Sequence, residues 1–206
     1  MTAVEHRKRL AAADRRQQIL DASAGLFVAR GFEAVSMADI AQVLQVSRPT
    51  VYSYFTSPEA VLDSLMTERL HLLWTRLEVQ IVALMPGRSG TPPPPQMYAA
   101  LFHFLLGERQ TLELLHCGGG PAFQARRLAF LGELARRLEV LRPSILRFPH
   151  LPMLLTHLLD SVAFSAVRLS PEHAEELAQT LDAFMRGGVA GLPGHESPEE
   201  IPTEIG

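Results

Sequence analysis

Residues 47–54, Ser-Arg-Pro-Thr-Val-Tyr-Ser-Tyr, bring a guanidinium, a methyl-bearing hydroxyl and two phenols together in one short segment. Arg48 has the fork to pair bidentately with guanine, while Pro49 and the Thr50 methyl suit thymine methyl groups. Tyr52 belongs to the same reading surface, and the Tyr54 hydroxyl suits a phosphate at the groove edge. Such readout needs side chains held rigidly at one end of a helix. Ser47 is a natural N-cap, and Pro49 falls in the first turn, where its missing N–H does no harm. Val46 and Val51 form a hydrophobic staple across that cap. Upstream, Ser36 and Asp39 form a capping-box pattern, and Ile40, Ala41 and Leu44 recur at helical spacing. Ser36 and Met37 open that helix, whose free N–H groups suit a second phosphate. Two short capped helices joined at Gln45-Val46-Ser47 describe a helix-turn-helix, and the partner it implies is double-stranded DNA.

The stretch SMADIAQVLQVSRPTVYSYFTSPEAVL resembles the DNA-binding core of the tetracycline-repressor (TetR) family of bacterial transcription regulators. The shared elements are a capped helix with Ile-Ala, a Val-Ser turn, a Tyr-x-Tyr-Phe ending and a Ser-x-Glu-Ala start to the next helix. Upstream, RRQQILDASAGLFVARGFEAV resembles the family's first helix, including Ala22, Leu26, Phe27, Gly31 and Phe32. The resemblance covers roughly residues 12–66; beyond it, only length and helical character are shared. Two positions depart from the pattern. Gln45 stands where glycine is usual, so it is expected to adopt a left-handed conformation at a cost of ~1 kcal/mol. Pro58 stands where a phosphate-contacting lysine is usual, so that contact is expected to be absent.

Other chemistry is weaker. His116-Cys117 precedes Gly118-Gly119-Gly120, but no motif supplies the base and orienting group that a nucleophilic thiol needs. The three glycines lack the Lys-Ser/Thr ending and the preceding strand of a phosphate loop. His71, His103, His116, His150 and His157 are too widely spaced to read as a metal set. No metal and no cofactor is expected, and no enzymatic activity. The middle of the chain does hold an aromatic group with a few polar residues: His71, Trp74, Tyr98, Phe102, Phe123, His157 and Asp160, with Phe104 and Phe130 nearby. Aromatic residues at helical spacing fill cores as readily as they line cavities. As a group, these suit an apolar pocket with polar anchors. His157 and Asp160, three apart on one helix, are expected to orient one another.

The elements that must position these groups are all helical. The 206 residues are 47% hydrophobic and 20% charged, with net charge −3 and a single cysteine. That composition excludes a disulfide framework, and no segment has the length and apolarity of a membrane span. Residues 1–56 carry Arg7, Lys8, Arg9, Arg15, Arg16, Arg30 and Arg48 against Glu5, Asp14, Asp21, Glu33 and Asp39. A weakly basic head on a near-neutral body fits a small nucleic-acid contact and a cytoplasmic location. Residues 1–13 read as a flexible arm, with Asp14 and Gln17 opening the first helix. Residues 14–56 form the helix-turn-helix domain, 57–192 a helical ligand-binding and dimerisation domain, and 193–206 a disordered acidic tail. Ser57-Pro58-Glu59 opens a long fourth helix to about Met85. The PGRSGTPPPP loop follows over 86–95, and further helices are expected at about 96–107, 109–116, 122–141, 151–169 and 171–187.

The expected fold is therefore all-α. It has an N-terminal three-helix helix-turn-helix domain joined to a larger helical ligand-binding and dimerisation domain. A palindromic operator demands a two-fold protein. The resemblance implies a homodimer through the last two helices, whose stripes are Leu151, Leu154, Leu155, Leu158, Val162, Val167 and Leu177, Leu181, Phe184, Met185, Val189. The function it implies is a repressor released by a small hydrophobic effector. A structural DNA-binding protein without an effector and an enzyme fused to a helix-turn-helix are the alternatives.

Overall fold

The computed structural model describes residues 3–84, 94–141, 150–167 and 171–191, and every regular element among them is helical. The loop expected over 86–95 is described only at Pro94 and Pro95, and the expected tail lies outside the described residues. Helix α1 (Ala3–Arg30) begins well before the expected Asp14 start, so the segment read as an arm is helical from residue 3. Its sequence explains this: AVEHRKRLAAA holds no Gly or Pro and consists largely of strong helix formers. The helix stops at Gly31, whose φ of 84° is one that L side chains rarely adopt. A short 3-10 turn, Phe32–Ala34, leads into the motif.

Helices α2 (Met37–Val43) and α3 (Arg48–Tyr52) form as their caps dictate. The Ser36 side chain accepts the Asp39 N–H while the Asp39 carboxylate accepts the Ser36 N–H, and Arg30 pairs with the same carboxylate at 3.0 Å. Ser47 Oγ accepts the Thr50 N–H at 3.3 Å. Between the helices Gln45 does take a left-handed conformation, with φ 54°. Ile19, Leu20, Phe27, Ile40, Ala41 and Val51 meet as the buried centre of the head.

Helix α4 (Pro58–Leu84) carries one buried stripe, Val61, Leu62, Leu65, Met66, Leu73, Leu77 and Ile81, at the spacing expected. Its first half packs on α1, where Arg16 bonds Ser64 at 3.0 Å and lies over the Phe55 ring. Its second half runs into the body. There α5 (Met97–Gly107), α6 (Arg109–Leu115), α7 (Pro121–Leu141), α8 (Leu151–Val167) and α9 (Pro171–Ala190) follow, with α7 on α4 and α8, and α5 on α8 and α9. The start of α5 has no cap of its own. The buried carboxylate of Asp182, on α9, accepts the N–H groups of Tyr98 and Ala99 at 3.0 and 3.3 Å instead.

Head and body also meet at the Cys117–Gly120 turn. Glu33 accepts the N–H groups of Gly119 and Gly120 at 3.0 and 2.6 Å, an anion at the N-terminus of α7. Phe32 N–H donates to the Cys117 carbonyl at 2.8 Å, and the Phe32 ring packs on Phe123 at 5.8 Å. The N–H of Gly120 foremost, with that of Gly119, holds the Glu33 carboxyl below its ordinary pKa. Gly118 and Gly120 are thus close-approach positions. A Cβ at Gly118 would lie 2.6 Å from Cγ of the fully buried Phe123, whereas one at Gly119 meets nothing.

Gly118→Ala is expected to destabilise the chain by ~1–3 kcal/mol through overpacking, and Gly119→Ala by much less. Urea midpoints of the two variants compare them directly; equal midpoints would mean that Phe123 moves freely.

The Asp39 carboxyl is depressed from 3.8 to about 2, chiefly by its bond with the Ser36 side chain and then by the Ser36 N–H and Arg30. A depressed carboxyl contributes its stability above pH 3.8 and loses it as pH falls toward 2. The stability gap between the parent and Asp39→Asn should therefore narrow across that window in urea titrations at stepped pH. A gap independent of pH would show that the carboxylate charge contributes nothing.

Candidate nucleic-acid interface and body cavity

Ser36, Ser47, Arg48, Pro49 and Tyr52 are all exposed, with Tyr52 at 53% and Thr50 half-buried. Helix α3 is anchored from beneath by Val51, which is fully buried. The Thr50 hydroxyl sits 2.8 Å from that of Ser47, so its methyl is the group left to offer. Met37 differs from the other candidates: its side chain is a core residue at 4% exposure, which leaves its backbone N–H for an anion. The capping box uses the N–H groups of Ser36 and Asp39 and leaves those of Met37 and Ala38 at the open end of α2. Tyr54 is half-buried against the head core, so its ring is a support as well as a carrier of its hydroxyl. Val43, beside the turn, is 55% exposed.

In the body, a cavity of ≈ 60 Å³ lies among α4, α5, α6, α7 and α8. Leucines dominate its wall, among them Leu73 and Leu77 of α4 and Leu131, Leu134 and Leu138 of α7. Four polar residues interrupt them: Glu108, Thr111, Thr156 and Asp160. Of the seven ligand candidates only Asp160 lines this space. His71 is exposed on α4, and half-buried Trp74 lies under the Arg137 guanidinium, 5.9 Å from the ring centre. Tyr98 and Phe102 pack with Leu181 and Met185 in the core between α5 and α9. Phe123 belongs to the head–body junction. The large rings fill their sites, and the free volume remains where branched leucines meet.

Nor does Asp160 pair with His157. Its buried carboxylate holds Arg127 and His116, the latter 3.2 Å from both oxygens. Nε2 of His116 is the donor in that contact, which makes the 3.4 Å approach of Arg127 Nη2 to the same nitrogen no hydrogen bond. The His116 ring stacks on Phe164 at 3.8 Å and 3°. The link of Asp160 to Arg127 and to His116 had no local signal, because they lie 33 and 44 residues from it in sequence. Burial pushes the neighbouring Cys117 thiol up to about 12, so it stays protonated at neutral pH and is not an activated nucleophile.

Residues 19–65 match the family model described as bacterial regulatory proteins, tetR family. None of the curated proteins matches the chain in sequence. Solved structures match nearly its whole length. The fatty acid degradation regulator FadR from Bacillus halodurans is 18% identical with a TM-score of 0.63, over 85% of this chain and 96% of that one. A TetR-like transcriptional regulator from Rhodococcus sp. RHA1 is 23% identical with a TM-score of 0.60, over 86% and 97%. The ketosteroid transcriptional regulator KstR2 of Mycobacterium tuberculosis is 20% identical with a TM-score of 0.53, over 84% and 94%. No helix among the described residues is long and apolar enough to cross a membrane. With its capped α2–α3 motif and the helical body behind it, the chain carries the TetR-family helix-turn-helix domain at its N-terminus and has the fold of a TetR-family transcriptional regulator.

Proposed function

We propose that the chain is a ligand-responsive transcription regulator, a repressor that binds a palindromic operator as a two-fold dimer and leaves it when a small apolar effector binds. The observation that carries this reading is the pairing of an exposed, rigidly capped α3 with an apolar cavity whose wall includes the far half of α4. Arg48, Pro49, Thr50 and Tyr52 read base edges. Ser36, Met37, Ser47 and Tyr54 hold the duplex backbone. A DNA target implies the cytoplasm.

The dimer surface is the outer side of α8 and α9. Most of the stripe read on α8 belongs to the core: Leu155, Leu158, Val162 and Val167 pack with the buried Ala163 and Ala166, while on the outer side Met153 and Leu154 are 48% and 54% exposed. On α9, Phe184 is 66% exposed. Apolar groups left outside on two neighbouring helices favour a second copy of the chain.

Two connections link cavity and head. Helix α4 is shared by both, and α7 carries cavity residues from Phe130 onward while its N-terminus is capped by Glu33. An effector that widens the cavity shifts α4 or α7. That changes the spacing of the two recognition helices from the ~34–36 Å between successive major grooves. The names of two similar structures, a fatty acid degradation regulator and a ketosteroid regulator, point to apolar compounds and agree with the leucine-lined wall. A structural DNA-binding protein without an effector is the lesser reading, since it has no use for an internal cavity.

Arg48→Ala should cost ~1–3 kcal/mol at the preferred half-site and relax base preference there, whereas Tyr54→Phe should weaken all sequences alike. Selection of bound fragments from a random duplex pool reads both effects. An unchanged preferred sequence with Arg48→Ala would remove Arg48 from the reading surface.

Phe184→Asp should shift the chain from dimer to monomer in sedimentation and weaken operator binding at least tenfold, with its melting temperature little changed. A dimer that persists would place the interface elsewhere.

A further inference from the structure

The charges around the cavity restrict what enters it. Both ionisable groups in the wall are carboxylates, Glu108 and Asp160. Each is neutralised by a cation outside the wall. Arg76 grips Glu108 through two bonds of 2.8 and 2.6 Å, and Arg127 is bound to Asp160. The wall is thus neutral in sum, almost wholly apolar at its surface, and holds no charge free to pair with a ligand ion. A ligand ion of either sign would enter without a free counter-charge, and burying it uncompensated is costly.

One donor just behind this wall, next to Asp160, is unspent. Nε of Arg127 is buried with no hydrogen-bond partner among the described residues. Arg127 lies one helical turn before Leu131 and two before Leu134 on α7, both of which line the cavity. Buried donors without acceptors are rare, and each calls for a partner. A group that accepts from this N–H and donates to the Asp160 carboxylate satisfies both at once.

Resting on the regulator reading above, we propose that the effector is an uncharged, largely apolar molecule anchored at Asp160 and Arg127. Its anchor is a single group that both donates and accepts a hydrogen bond: an alcohol, a phenol or a primary amide. The corresponding carboxylic acid, ionised at neutral pH, is rejected. The cavity's ≈ 60 Å³ holds less than a benzene-sized guest, for which ~150 Å³ is enough. The effector therefore enters only as the wall helices part, among them α4 and α7, which reach the head.

Three probes with one apolar body separate the possibilities: ethylbenzene, 4-ethylphenol and 4-ethylbenzoate, titrated calorimetrically into the full chain without DNA. The phenol should bind saturably and about tenfold tighter than ethylbenzene, the ratio expected of one net hydrogen bond. The benzoate should not bind at the same concentrations. Leu134→Trp, which fills the cavity, should abolish phenol binding. Asp160→Asn removes the facing negative charge and leaves Arg127 uncompensated, so it should admit the benzoate. If that variant does not fold, the parent's ranking of the three probes and Leu134→Trp still decide the matter. Benzoate binding as tight as the phenol, ethylbenzene equal to the phenol, or phenol binding that survives Leu134→Trp would each overturn the proposal. Operator affinity is measured separately with and without the phenol. A phenol that binds as described but leaves DNA affinity unchanged supports the anchor and overturns the effector role.

Discussion

The Glu33 carboxylate on the N-terminus of α7 is the constraint around which the rest is arranged. The first N–H groups of a helix have no partners within it, and an anion there is favoured by the helix dipole as well as by direct bonds. In this chain the anion comes from the head and the helix from the body. The bond closes only because Gly118 lets the Phe123 ring lie against the turn and because Gly31 bends the backbone toward Cys117. Head and body are therefore joined twice, through the continuous α4 and through this short turn, and their relative placement is defined by more than one hinge.

The same solution recurs inside the body. Asp182 on α9 serves the uncapped start of α5, and Asp160 on α8 holds Arg127 of α7 and His116 after α6. In each case a buried acid spends its charge on a neighbouring helix, which converts a desolvation cost into a specific docking contact. The leucines between these contacts supply burial but little directional preference. The cavity is walled mainly by leucines, with the ion-paired Glu108 and Asp160 among them.

This division of labour suits a molecule that holds one surface rigid and moves another. The reading surface of α3 rests on local caps and on Val51, none of which depends on the body. The cavity wall belongs to helices joined by a few ion pairs, Arg76–Glu108 and Arg127–Asp160 among them, with leucines between. Strain introduced there is carried along α4 and α7, each a single rod, to the two places where the head is attached.

The sequence by itself determined the helix-turn-helix. The Ser36–Asp39 box and the Ser47 cap rest on partners within a few residues, so their spacing states their structure; the α4 stripe followed from helical period, and the left-handed Gln45 from the family resemblance. The helical body was legible for the same reason, from its periodicity and its Gly and Pro breaks. Only the tertiary structure decided which residues surround empty space. Trp74, Tyr98, Phe102 and Phe123 carried the aromatic signal of a pocket yet fill cores and junctions, because periodicity shows that a face is buried and not what it meets. Asp160 found partners 33 and 44 residues away rather than His157 three residues away, and Glu33 reached glycines more than 80 residues on. Contacts of that separation depend on how whole helices cross, which no local pattern encodes.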